Sequence, residues 1–261
     1  MSIRPCLTDK TTRFIEKNCF PSCQRATLHR ILKSSVMKRF TIPVIFLAML
    51  MMTGCLVSSL HPFYKSKDKV YDPVLEGNWI DGDSCIWTIE PNEVSPTFMA
   101  TPVPDSTFRI TYYEDEDSRA LLTGVLFRLN GVSYVDFSPA KDEDHFSSDM
   151  TGFHHIPVHT LARVQYSSDS ILLYWYGEDW LNELFEQNRI RISHETVDAP
   201  DYDRHLLTAS TDELQKFIRK YASDPKTVEE IERTFARGST DDQDAYGIFL
   251  NLKPYDGEVP E

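Results

Sequence analysis

Apolar and polar positions alternate in short runs through the middle of the chain. "GNWI" (77–80), "CIWTIE" (85–90) and "FRITYY" (108–113) are rich in aromatic and β-branched residues and are separated by Asp, Gly or Pro, which predicts strands. "RALLTGVLFRL" (119–129) and "VSYVDFS" (132–138) flank Asn130-Gly131, a dipeptide that tolerates positive φ at both central positions of a tight hairpin. "PVHTLARVQY" (157–166) and "SILLYWY" (170–176) form a further predicted hairpin around Ser167–Asp169.

The period then changes. "DWLNELFEQN" (179–188) sets Trp180, Leu181, Leu184 and Phe185 on one helical face, with Asp179 available as a cap. "RIRISHETV" (189–197) returns to alternation, with Ile190, Ile192, His194 and Thr196 facing one way. Ser210 and Glu213 have the spacing of a capping box ahead of Leu214, Phe217, Ile218 and Tyr221. A second helix is expected from Asp224-Pro225, carrying Val228, Ile231 and Phe235 and ending at Gly238. The sum is a mainly β (α+β) chain: an antiparallel meander of seven or eight strands, closed as a barrel or stacked as a sandwich, with C-terminal helices. Residues 74–238 read as one β-rich domain, and 239–261 as a loose acidic tail in which "YGIFLNL" (246–252) could dock or pair.

The long apolar run lies earlier, at residues 40–52 (FTIPVIFLAMLMM), preceded by Met37-Lys38-Arg39 and followed by Thr53-Gly54-Cys55. A short basic leader, an apolar stretch and small residues at a cleavage point are the layout of a secretory signal. Thirteen helical residues would reach ~20 Å, short of the roughly 30 Å hydrocarbon core. Met52-Thr53-Gly54-Cys55 resembles the lipobox of bacterial lipoproteins, with Met52 and Thr53 as departures from its commoner residues. That resemblance implies cleavage before Cys55 and acylation of it. Residues 37–54 are then the signal peptide and 55–73 a lipid-anchored tether. Residues 1–36 read as lying upstream of the natural start, or as disordered; Cys19, Cys23 and His29 within them are poorly spaced for a zinc site.

Charge narrows the partners. The whole chain carries −13, and residues 55–261 hold 18 Lys/Arg against 38 Asp/Glu, a formal charge of −20. Such a surface argues against nucleic acid and against a broad electrostatic footprint on anionic lipid. Attachment would rest on acyl chains. With Cys55 acylated, Cys85 has no partner left downstream, so a domain without a disulfide and with Cys85 as a small buried hydrophobe is expected.

Several stretches, "SLHPFY", "LEGNW", "IPVHTLARV" and "LTASTDELQKFIRKYASD", resemble a set of bacterial lipoproteins without an assigned activity, over roughly residues 55 to 225. They begin Cys-x4-Leu-His-Pro-x-Tyr and continue with Gly-x-Trp. The resemblance implies the lipid anchor and the single-domain layout. Gly77-Asn78-Trp79 is also similar to the first strand of lipocalin-like barrels, where tryptophan plugs the closed end. Leu56, rather than aspartate, after the cysteine implies outer-membrane attachment, with the domain facing the periplasm.

Candidate chemistry is sparse. His154, His155, His159 and His194 with Glu195 could bind zinc if they converged. However, neighbouring strand residues point to opposite faces, and His155 and His159 would lie ~13 Å apart on an extended chain. Acidic runs at 113–118, 141–145 and 239–244 lack EF-hand spacing. There is no Gly-x-Ser-x-Gly elbow, and Ser223-Asp-Pro-Lys226 reads as a helix start. Trp79, Tyr112, Tyr134 and Trp175 remain as candidates that either line a site for a small apolar ligand or fill the core. No cofactor is expected. The function that follows is an envelope lipoprotein acting as a binding or accessory module. The alternatives are an assembly partner of an envelope complex and a metal-dependent hydrolase built on the histidines.

Overall fold

The computed structural model describes residues 56–94, 103–115, 118–140, 156–198, 203–237, 243–244 and 247–260. A two-residue strand β1 (Ser58–Ser59) precedes seven strands in up-and-down order: β2 (Gly77–Ile80), β3 (Ile86–Val94), β4 (Val103–Tyr113), β5 (Arg119–Leu129), β6 (Val132–Pro139), β7 (His159–Ser167) and β8 (Ser170–Tyr176). Helix α1 (Glu178–Glu186), the hairpin β9 (His194–Asp198) and β10 (Asp203–Leu207), and helices α2 (Thr211–Phe217) and α3 (Pro225–Arg237) follow. The chain ends with β11 (Gln243–Asp244) and β12 (Gly247–Pro254).

Each of β2 to β8 pairs antiparallel with the next, and β12 pairs with both β8 and β2. The result is a closed eight-stranded antiparallel barrel with extra strands, not a sandwich. Closure removes the unpaired edges that an open meander would expose. The eighth stave comes from the segment expected to be a tail: "YGIFLNL" pairs, from Gly247 opposite Tyr176 to Leu252 opposite Ile171. At Gly247 an added Cβ would lie 2.0 Å from the Trp175 carbonyl oxygen, so the backbones there approach too closely for a side chain.

Local signals account for the joins. Asn130 and Gly131 adopt φ of +51° and +83°, and Leu129 pairs with Val132 across them, which is a two-residue hairpin. At α2, Ser210 and Glu213 form the expected capping box. A π-helical turn at Ile218–Ala222 carries α2 on towards α3. The alternation expected over 189–197 holds as a strand in β9 alone; Ile190, ahead of it, is buried beside the helices.

Two cores result from the period-2 geometry of the staves. Inward positions such as Trp87, Ile110, Val135, Leu173 and Leu250 fill the barrel. The outward positions Phe127, Tyr134, Leu161, Tyr174, Tyr176 and Phe249 are covered by Trp180, Leu214, Phe217 and Ile231 from the three helices. β8 serves both, with Ile171, Leu173 and Trp175 inside and Leu172, Tyr174 and Tyr176 outside.

The stretch read as a tether is bound to the barrel. Leu56 bridges to Gly177, the Val57 N–H donates to the Tyr176 carbonyl at 2.9 Å, and β1 lies between β7 and β10. Phe63 is fully buried in the outer core. Farther on, the Val70 N–H donates to Leu126, and a turn at Pro73–Leu75 places Leu75 among the barrel-filling residues.

Candidate functional site

Aromatic side chains meet in the middle of the barrel. Trp87 packs on Tyr112 with ring centres 4.7 Å apart and on Trp175 at 6.2 Å, and Trp175 packs on Phe137 at 4.9 Å. Trp79 is buried in the same core and donates its indole N–H to the Leu75 carbonyl at 3.1 Å, which ties the first stave to the turn before it. Three of the four ligand-binding candidates, Trp79, Tyr112 and Trp175, therefore share the interior. Tyr134 does not: it faces outward under the helices, with its hydroxyl beside those of Tyr176 and Ser223. Burial raises the hydroxyl pKa of Tyr112, Tyr134 and Tyr176, so these rings act as neutral apolar bodies.

One carboxylate supports the interior. Asp81 sits in the β2–β3 turn and accepts the backbone N–H groups of Cys85 (2.9 Å) and Asp83 (3.0 Å) and the Trp87 indole N–H (3.1 Å). Burial raises its pKa, and the three donors oppose that. Cys85 beside it is buried and disulfide-bonded, which corrects the expectation of a free thiol. Its partner is among cysteines 6, 19, 23 and 55, all outside the described residues.

The outer core holds a second buried carboxylate, Asp136 on β6. Its Oδ2 accepts the Phe63 N–H at 2.8 Å and its Oδ1 lies 2.7 Å from His159 Nδ1. Burial raises the Asp136 pKa against the pull of His159 and the Phe63 N–H. From the other side, α2 grips the same Leu-His-Pro-Phe-Tyr stretch: Thr211 donates to the Pro62 carbonyl (2.8 Å), Gln215 donates to the Phe63 carbonyl (3.2 Å), and Lys65 pairs with Asp212. The resemblance-bearing motif is thus a strap clasped between β6 and α2.

The histidines do not converge. His159 is held by Asp136, whereas His194 packs against Phe185 and His205, with ring centres at 4.2 and 5.2 Å. Register sets His159 opposite Ser59, Ser59 opposite Leu207 and Leu207 opposite His194. Three strand spacings of about 4.8 Å put their Cα atoms ~14 Å apart, too far for one ion. No cluster of three or more metal-ligating side chains occurs among the described residues. Cys55, His154 and His155 lie outside them.

Asp81, Asp136, Gln215 and His205 escaped the sequence reading. Asp136 carried one signal, a lone carboxylate inside the apolar "YVDF", but a single Asp in a strand equally marks a solvent-facing position. No family model, curated protein or solved structure matches this chain.

Proposed function

We propose that the protein is a lipid-anchored, non-catalytic module of the bacterial cell envelope that works through the outer surface of a filled barrel. The anchor rests on the signal-like sequence 37–54 and the lipobox-like Met52-Thr53-Gly54-Cys55. Acyl chains at Cys55 supply the membrane attachment, and Leu56 after it favours the outer membrane, with the domain in the periplasm. A barrel offers two uses, a ligand inside or a partner outside. The packed rings of Trp87, Tyr112, Phe137 and Trp175 carry the choice of the second. The ~14 Å between the Cα atoms of His159 and His194 argues against a hydrolase that uses both on one metal.

Cys55 has two competing uses. Once the chain is cut before it, Cys55 is the intrachain partner left for Cys85, and one sulfur cannot carry both a thioether and a disulfide. The intact mass of the full chain, made in a bacterial host and measured without reductant, decides between them. A chain that starts at Cys55 and carries acyl mass would support the anchor and would require Cys85 to pair outside the chain. A Cys55–Cys85 disulfide would overturn the anchor. Native mass spectrometry of the same sample tests the filled barrel: a bare protein is expected, and a releasable small molecule would restore the ligand-carrier reading.

A further inference from the structure

The hairpin of β9 and β10 brings two histidines together, and we infer that His194 and His205 form a two-imidazole site for Zn2+ or another borderline divalent ion. Register makes them neighbours. His205 on β10 stands opposite Thr196 on β9, and His194 lies two residues before Thr196, so parity puts both imidazoles on one face as a diagonal cross-strand pair. Helix α1 backs them with Phe185, whose ring centre lies 4.2 Å from that of His194 and 5.2 Å from that of His205. Both histidines are half-buried and Thr196 beside them is exposed, so the pair rests on an apolar ring and is reached from solvent. The site depends on neither the anchor nor the barrel interior.

Two further observations separate this pair from rings that merely pack. The first is the tautomer. His194 Nδ1 lies 2.9 Å from the Ile192 carbonyl oxygen, which only accepts, so Nδ1 donates and the lone pair of the neutral ring is on Nε2. A histidine whose other ring nitrogen donates to a backbone carbonyl is the usual form of a metal ligand. His205 is oriented through the same atom, with Nδ1 3.3 Å from Thr196 Oγ1. The second is spacing. With metal–nitrogen bonds of about 2.0 Å and each nitrogen about 1.1 Å from its ring centre, two imidazoles on one tetrahedral ion have centres ~5 Å apart. The rings of His194 and His205 lie 5.2 Å apart, at 86° to each other. The Nδ1 contact of His205 is the longer of the two, so His205 is the ring that turns to complete the chelate. Two imidazoles are fewer than the protein ligands of a structural or catalytic zinc centre, so water fills the remaining positions and the ion exchanges. Imidazole selects Zn2+, Cu2+ or Ni2+ over Mg2+ and Ca2+. The formal charge of −20 on residues 55–261 raises the local concentration of any such cation.

The experiment uses the full chain, stripped of metal with a chelator and labelled with nitrogen-15 histidine, and titrates it with Zn2+ alone. One equivalent is expected to shift the ring-nitrogen resonances of His194 and His205 together, each assigned by its loss in His194→Ala or His205→Ala, and to leave those of His159 in place. By calorimetry, either substitution should weaken binding by more than about tenfold. His205→Gln should lose the ion as well while the metal-free protein keeps the melting temperature of the wild type, which separates loss of a ligand from loss of the fold. Zn2+ that shifts other histidines but not these two would overturn the site. So would binding that survives in His194→Ala, or no binding to the wild type.

Discussion

The two cores on either side of the barrel wall are held by different physics. Inside, the contacts are between rings and aliphatic side chains, with Asp81 and its three donors at one turn. Outside, the helix-covered core mixes its rings with Asp136–His159, the Gln215 amide on the Phe63 carbonyl and the Arg163–Glu232 ion pair. The interior joins strands that are neighbours in sequence, except where β12 closes the ring against β8 and β2. The exterior joins residue 63 to residue 136 and residue 215, so its polar bonds fix which distant segments meet. Apolar packing supplies stability without direction, whereas buried hydrogen bonds punish every wrong pairing.

The strongest way to break this comparison is to truncate one large ring in each core. Trp87→Ala and Phe63→Ala should each cost ~3–5 kcal/mol in urea denaturation. If the cores form one cooperative unit, both variants shift a single transition. A second, earlier transition in Phe63→Ala alone would show that the outer core melts separately.

Next in size is Asp136→Ala, which strands the buried Phe63 N–H and should cost ~1–3 kcal/mol. Its distinguishing effect is local: amide exchange should accelerate through residues 58–65 while the inward-facing staves keep their protection. Uniform acceleration would mean that Asp136 supports the whole barrel rather than the strap.

The smallest effect concerns pH. Glu178 is buried, accepts the His205 N–H at 2.8 Å, and has its pKa raised by desolvation. A carboxyl that holds its proton more tightly when folded than when unfolded favours the fold in acid. Its contribution is fully present below the ordinary carboxylate pKa and is lost as pH rises through the raised one. Wild type should therefore gain stability relative to Glu178→Gln as pH falls from 7 into the carboxylate range, by less than the cost of Asp136→Ala. A difference between the two that stays flat with pH would show that Glu178 titrates normally.

The sequence made the interior legible and left most of the exterior hidden. Alternation in "CIWTIE" marks one buried face, because Thr88 and Glu90 really do look outward, away from the core. "SILLYWY" and "GIFLNL" break alternation because both their faces are covered, which is the pattern of a strand buried on both sides. Taken at face value, that signal would have moved 247–252 from the tail into the barrel. Tyr134 reads as one of the interior rings, although its parity sets it outside. Asp136 and Gln215 could not be found, since a buried polar residue looks like an exposed one until its partners, dozens of positions away, are known. The Leu56–Tyr64 stretch reads as a tether for the same reason: its hydrogen bonds go to residues 136, 176 and 207.

The position of the last stave has a consequence for biosynthesis. β2 pairs with β12, so Ile80 finds its neighbour Lys253 only after all the residues between them have emerged. Until then the sheet is open on two sides, and contacts between such distant residues form slowly. A chain cut short before β12 keeps two raw edges, so the barrel closes only once this stave has been made.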